Sequence, residues 1–241
     1  MKGLRSHPNP KLRGWRFASG APAPSLWYRL WQRLCQVSCV GMWKVRVFNR
    51  HHEPSAGSVL YLCNHQSYLD PPLMGLGLRR AMNYMARDDL FRFPVFRQLI
   101  VSFNAFPVRR ASADTRALKE ALRRLRRGEQ LVMFPEATRT RDGRVGEFLP
   151  GAAMLARRGA DWVVPVAIEG AFACWPRTQW LPRPGRIVVI YGRPIAHDEI
   201  RDLEPAELVA RVRERIVALL AEVRRRLGSP QLDAPAGTGA A

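Results

Sequence analysis

The sequence predicts an α/β fold: a mixed, largely parallel central sheet flanked by helices, with an N-terminal amphipathic helix. Two observations lead there. From residue 44 onward, short β-branched or aromatic runs alternate with segments of helical period, the order that builds parallel sheets through crossover helices. The chain has 241 residues, 47% of them hydrophobic, enough for one generous core without disulfides.

The elements follow in order. Residues 1–25 (MKGLRSHPNPKLRGWRFASGAPAPS) are rich in Pro, Gly and Arg, show no period, and are expected to form a disordered basic tail. Residues 26–43 are expected to form an amphipathic membrane-interface helix. Ser25 can cap it; Trp27, Leu30, Trp31 and Leu34 recur at helical spacing, with Arg29, Gln32, Arg33 and Gln36 on the other side. Trp on one face with Arg at its margins suits the headgroup layer of a membrane. The same face could pack on its own domain, and the pattern leaves both open.

Residues 44–228 are expected to be one α/β domain. Its predicted strands are KVRVFN (44–49), SVLYLC (58–63), MNYMA (82–86), NAFPV (104–108), LVMFP (131–135), VVPVAI (163–168) and RIVVIYG (186–192). Helices are expected over 112–128, with Ser112 as cap, a Leu118–Leu122–Leu125 stripe and Gly128 as stop, and over 148–159. A longer one spans 204–228, with the stripe Leu208, Val212, Ile216, Leu219, Val223 and Leu227 and with Arg rising toward the end that the helix dipole makes negative. Residues 229–241 form a second disordered tail.

Charge narrows the partners. Lys and Arg number 39 against 20 Asp and Glu, a formal +19, and only Lys2, Lys11, Lys44 and Lys119 are lysines. A chain this basic seeks polyanions, and Arg favours bidentate phosphate contacts. No zinc finger, helix-turn-helix or aromatic RNA-binding pattern is present, so no nucleic acid is expected as partner. An anionic membrane surface or phosphorylated substrates remain. Residues 1–25 lack the apolar core of a secretory signal. The longest uncharged run near the start, LCQVSCVGMW, is far short of the ~20 apolar residues of a membrane span. Cys35, Cys39, Cys63 and Cys174 form no C-x-x-C pair and are expected to be reduced thiols packed as small hydrophobes.

Three chemical clusters fall where strands end, the usual place for sites in open α/β sheets. The first is His65 with Asp70, in YLCNHQSYLDPP. A histidine takes a proton from a hydroxyl more readily when a carboxylate holds one ring nitrogen, and Asp70 could reach back across the strand-to-helix turn. Ser67 lies nearby but lacks the G-x-S-x-G frame of a serine hydrolase, and His7, His51, His52 and His197 show no metal-ligand spacing. Taken alone the H-x-x-x-x-D spacing is common in any chain; the simplest catalytic role left for His65 is activation of a hydroxyl arriving with the substrate. The second cluster is MFPEATRTRDGR, where Glu136 and an Arg139 flanked by hydroxyls could receive a phosphate. The third is FNAFPVRR, with Arg109 and Arg110. Taken singly, the second and third also fit ordinary surface charge pairs.

NHQSYLD, FNAFPVRR, FPEATRTRDG and VVPVAIEG stand in the order and approximate spacing of the four motif blocks of the glycerolipid acyltransferase family, which includes the lysophosphatidate (1-acylglycerol-3-phosphate) acyltransferases. The chain resembles that family from about residue 44 to 200, and GRPI (192–195) looks like its closing strand. The resemblance implies an O-acyltransferase that moves a fatty acyl group from acyl-CoA or acyl-carrier protein, as co-substrate and with no further cofactor, to the free hydroxyl of a lysophospholipid acceptor. It implies His65 as general base, Asp70 as orienting carboxylate, and Asn64, Ser67, Arg110, Glu136, Thr138 and Arg139 on the substrate-binding side. It also implies a peripheral or monotopic protein on the cytoplasmic face of the inner or plasma membrane, where the substrate lives. Phe91, Phe93, Val95, Phe96, Leu99 and Ile100 could line a channel for the fatty chain or pack in the core.

The departures from the family pattern touch the acceptor side. Ala137 stands where Gly is usual and Thr140 where Ser is; Asn104 replaces a common Gly, Arg109 a common Asp and Leu149 a common Lys. A methyl at 137 conflicts with any backbone conformation that only Gly adopts freely. Lysophosphatidate is the expected acceptor; a different lysolipid, a thioesterase using water, and a non-catalytic lipid-binding relative are the alternatives.

Overall fold

The structure, a computed structural model, describes residues 24–109 and 114–228. Residues 1–23 of the expected tail at 1–25, the tail at 229–241, the Arg110 candidate and the Ser112 cap lie outside the described residues.

Eight strands form one sheet among them. In chain order they are β1 (Arg46–Phe48), β2 (Val59–Cys63), β3 (Met82–Arg87), β4 (Ala105–Val108), β5 (Gln130–Met133), β6 (Trp162–Glu169), β7 (Val188–Tyr191) and β8 (Ile195–Ala196). The order across the sheet is β1-β7-β6-β2-β5-β3-β4, with β8 added to β6. Every pairing is parallel except β6 with β7 and β6 with β8. The seven predicted strands are all present, and the sheet is mixed and largely parallel as expected. The two-residue β8, at the end of the GRPI segment, carried too little pattern of its own and was anticipated only through the family resemblance.

The helices are α1 (Leu26–Trp43), α2 (Asp70–Gly75), α3 (Pro94–Ser102), α4 (Thr115–Leu125), α5 (Gly151–Gly159), α6 (Ala171–Cys174) and α7 (Pro205–Leu227). Two buried clusters cover the two faces of the sheet. One joins α4, α5 and α7 to Leu60, Leu62 and Leu131; the other joins α1, α2 and α6 to Val59, Tyr61 and Cys63. Alternate residues of β2 thus point into opposite cores, and the whole strand is buried, as a central parallel strand must be.

Three local expectations change. Helix α4 starts at Thr115, capped by Asp114, whose side chain accepts from the N–H groups of Arg116 and Ala117 and of Arg109. A carboxylate that receives backbone donors is a strong cap, and these N–H groups hold its pKa below the ordinary value. Helix α1 is capped by Ser25 as expected, but its faces are divided otherwise than the pattern indicated. Gln32 donates to the carbonyls of Gly75 and Leu78, and Gln36 to that of Leu76. The side with Tyr28, Gln32, Gln36, Cys39 and Trp43 therefore faces the domain, while Leu26, Leu30, Leu34 and Val37 are exposed. Finally, α3 buries none of its residues. Phe93, Val95 and Phe96 are exposed rather than packed in a core, and Ser102 accepts a hydrogen bond from Trp27 of α1.

Candidate active site

β2 leaves the sheet as Asn64-His65-Gln66-Ser67 before α2 begins at Asp70. Its parallel neighbours β5 and β6 end on the same edge, so the loop after β5 and Glu169 at the end of β6 meet the His65 loop there.

Asp70 is wholly buried. Its Oδ2 accepts from His65 Nδ1 at 2.7 Å and from the backbone N–H groups of Gln66 and Ser67 at 2.6 and 2.7 Å. Three donors on one oxygen fix the carboxylate and close the loop around it. With Nδ1–H directed at Asp70, the lone pair of the imidazole lies on Nε2, and among the described residues Nε2 has no partner. The ring stacks on Phe134 with centroids 4.2 Å apart and planes at 20°, which fixes its orientation. The His65 side chain is 15% exposed.

The backbone of His65 is held as firmly. Its N–H donates to Glu136 Oε1 at 2.8 Å, and its carbonyl accepts from Thr140 N–H at 2.8 Å. Glu136 Oε2 accepts from Gly146 N–H at 3.0 Å, so one carboxylate ties the β2 loop to two points of the loop after β5. Burial pushes this carboxyl up to about 7; the two N–H donors pull it down, the negative charge of Asp70 raises it and Arg213 lowers it.

Two arginines of α7 brace the same loop. Arg213 donates to the carbonyls of Gly146 and Val145 at 2.9 and 2.8 Å. Arg224, 1% exposed, pairs with Glu169 at 2.8 Å and reaches the Gly143 carbonyl at 3.3 Å. The sequence reading missed both, taking the arginines of α7 as complements of the helix dipole. A usable signal was present: Arg224 continues the buried Ile216–Leu220 row at a spacing of four.

Arg139 is a further charged group in the site. Its guanidinium carbon lies 3.4 Å from the centroid of the Tyr68 ring, a cation–π contact that anchors it to the His65–Asp70 loop. The residue is 9% exposed, and its Nη1 is buried with no hydrogen-bond partner among the described residues. A buried cationic donor left open in this way is suited to an anion.

The other candidates are distributed as follows. Asn64 exchanges two hydrogen bonds with the backbone of Ile168, pinning β2 to β6. Ser67 is buried and donates to the Trp175 carbonyl at 2.7 Å. Their side chains, with that of Glu136, are engaged inside the fold, whereas Thr138 is exposed beside Arg139. Arg109 is exposed and binds Asp114 through its backbone N–H; Arg110 is outside the described residues. The two positions where glycine is usual in the family, 104 and 137, both have left-handed backbone, with φ of 61° at Asn104 and 54° at Ala137. Asn tolerates that region; Ala does so at a cost.

Chemically, the edge offers an oriented imidazole whose Nε2 is open and a guanidinium whose Nη1 is open, braced by Asp70, Glu136, Glu169, Arg213 and Arg224.

Comparison with known proteins agrees with this architecture. The acyltransferase family model matches residues 44–169. The 1-acyl-sn-glycerol-3-phosphate acyltransferase of Bacillus subtilis is 27% identical over 187 residues, covering 76% of this chain and 89% of that protein. The chloroplastic enzyme of the same description from Arabidopsis thaliana, LPAT1, is 27% identical over 171 residues, and the one from Cocos nucifera 29% over 178. This chain spans only 47% and 58% of the length of those two plant proteins. Among solved structures, the 1-acyl-sn-glycerophosphate (LPA) acyltransferase PlsC from Thermotoga maritima superposes with a TM-score of 0.70 at 25% identity, covering 81% of this chain and 79% of that one.

Proposed function

The chain belongs to the acyltransferase family, and from that premise we propose that it transfers a fatty acyl group from a thioester to the free glycerol hydroxyl of lysophosphatidate, giving phosphatidate. The observation that carries this reading is the pairing of His65 with Asp70 at 2.7 Å, beside an Arg139 whose Nη1 is open. The substrates named for the relatives, in Bacillus subtilis and in plants, point the same way.

In this reading Arg139 binds the acceptor's phosphate and sets the glycerol hydroxyl at His65 Nε2. The imidazole takes the hydroxyl proton while the oxygen attacks the thioester carbonyl carbon. Asp70, fixed by two backbone N–H groups, stabilises the imidazolium that forms. The tetrahedral intermediate collapses, the C–S bond breaks, and the imidazolium returns the proton to the departing thiolate. Products are the ester and the free thiol; no acyl-enzyme and no cofactor is required. The donor is acyl-CoA or acyl-carrier protein. Glu136, engaged with the N–H groups of His65 and Gly146, positions the base rather than touching substrate.

The protein works at an anionic membrane surface, on its cytoplasmic face. No helix among the described residues is long and apolar enough to cross a membrane. The Leu26–Leu30–Leu34–Val37 stripe of α1 and Val95, Phe96 and Val101 of α3 are exposed on neighbouring helices joined by the Trp27–Ser102 hydrogen bond, and Arg29 and Arg33 are exposed on α1. Residues 24–52 contain no Asp or Glu, so α1 presents only positive charge to lipid phosphates.

Thiol release from acyl-CoA and acyl-carrier protein, with and without a panel of lysolipids, tests the proposal. Release should depend on lysophosphatidate and on His65. Release that ignores added lysolipid would identify a thioesterase; dependence on another lysolipid would rename the acceptor.

A further inference from the structure

We propose that the loop between α6 and β7, residues 175–187, is a second membrane-docking element: its Trp180–Leu181 tip enters the headgroup layer of an anionic bilayer while the cations around it bind lipid phosphate. This deepens the membrane reading above and rests on it.

Trp180 is 90% exposed and Leu181 70%. Adjacent large apolar side chains held in water are costly, and the loop is built to hold them there. Pro176, Pro182 and Pro184 stiffen it. Its base is tied by Arg183 N–H to the Cys174 carbonyl at 2.8 Å, by Trp175 Nε1–H to the Gln179 carbonyl at 3.2 Å, and by Trp43 Nε1–H of α1 to the Arg183 carbonyl at 2.8 Å. Gly170 closes the base at φ 87°, where a Cβ would come within 2.1 Å of the Arg186 carbonyl oxygen.

Charge names the occupant. Residues 170–197 contain Arg177, Arg183, Arg186 and Arg193 and no Asp or Glu, and the first three are exposed around the tip. Beside the loop, a cleft of about 280 Å³ is lined by Lys44, Arg46, Arg186, Ile187, Val188 and Leu227. Its charged lining groups, Lys44, Arg46 and Arg186, are all cations, the complement of a phosphate headgroup. A bilayer fits better than a protein partner, because a two-residue tip is far below the roughly 800 Å² per side of a stable protein interface. A Trp side chain, apolar with one N–H donor, is at home at headgroup depth.

The position also fits. The loop root lies between the end of α1, through Trp43, and the His65 loop, through the Ser67 hydrogen bond to the Trp175 carbonyl at 2.7 Å and the Tyr68–Trp175 ring contact at 5.2 Å. Tip insertion would bring the lipid surface to the border of the site.

The test is co-sedimentation of the full chain with phosphatidylcholine vesicles, with and without about a quarter phosphatidylglycerol. The Trp180→Ser/Leu181→Ser variant should bind anionic vesicles roughly tenfold or more weakly and keep its Tm. Arg183→Gln/Arg186→Gln should lose the preference for anionic vesicles. Brominated lipid should quench tryptophan emission in the wild type and measurably less in Trp180→Phe. Vesicle binding by the wild type with no loss in the tip variant overturns this proposal alone. Failure of the wild type to bind any vesicle overturns the membrane reading and this proposal with it. Intact vesicle binding with lost retention of an acidic carrier protein would assign the tip to a protein and also overturn the proposal.

Discussion

The peptide N–H of His65 donates to Glu136 Oε1 at 2.8 Å, so the proposed base and a half-buried carboxylate from the neighbouring strand's loop are held as one unit. Gly146 N–H completes the tie at 3.0 Å. The contact is to the backbone and not to the imidazole, whose Nδ1 is held by Asp70.

Removal of the base itself is the first expectation. His65→Ala should lower kcat by roughly 10²–10⁴, the range for loss of a general base, with little change in donor affinity. Asp70→Asn should also lower kcat, because Oδ2 then no longer orients the Nδ1–H tautomer. Single-turnover thiol release checks both; an equal loss in donor binding would contradict the roles.

Glu136 makes stability depend on pH with a definite sign. Its carboxyl is raised from the ordinary 4.5 to about 7 by burial. Between those values the folded protein holds a proton that the unfolded chain has released. This contribution to stability is therefore full below about pH 4.5 and is lost as pH rises through about 7. Glu136→Gln lacks it. Thermal denaturation across that range should show the wild type losing ground to the variant as pH increases; a constant difference would refute the assignment.

Arg139→Ala should raise KM for lysophosphatidate by roughly 10–100-fold, the cost of a charge-assisted hydrogen bond, and leave an unphosphorylated monoacylglycerol nearly unaffected. Equal effects on both acceptors would mean that Arg139 does not receive the phosphate.

Ala137 pays for its left-handed backbone without compensation, being exposed at φ 54°. Ala137→Gly should stabilise the protein by about 0.5–1 kcal/mol, the relieved strain exceeding the added freedom of the unfolded chain. Chemical denaturation measures it. Asn104→Gly should change less, since Asn tolerates φ 61°.

The two sides of α1 should separate cleanly. Leu30→Ser with Leu34→Ser should weaken vesicle binding and keep Tm, because both side chains are exposed. Gln32→Leu should lower Tm, leaving the Gly75 and Leu78 carbonyls without their 2.6 and 2.9 Å donors.

The sequence by itself determined the strand–helix order, the largely parallel sheet and the juxtaposition of His65 with Asp70. Each rests on local period or on residues five apart, where chain connectivity limits the outcome. Only the tertiary structure decided which face of α1 meets the domain, because side-chain amides seek carbonyls that α2 and its following turn expose, and no period encodes those. The same holds for Glu136, whose partner His65 lies on the β2 loop 71 residues earlier, and for Arg224, whose partner Glu169 ends a strand 55 residues earlier. Buried polar groups must find partners wherever the fold brings them, and that pairing exists only once the sheet has assembled.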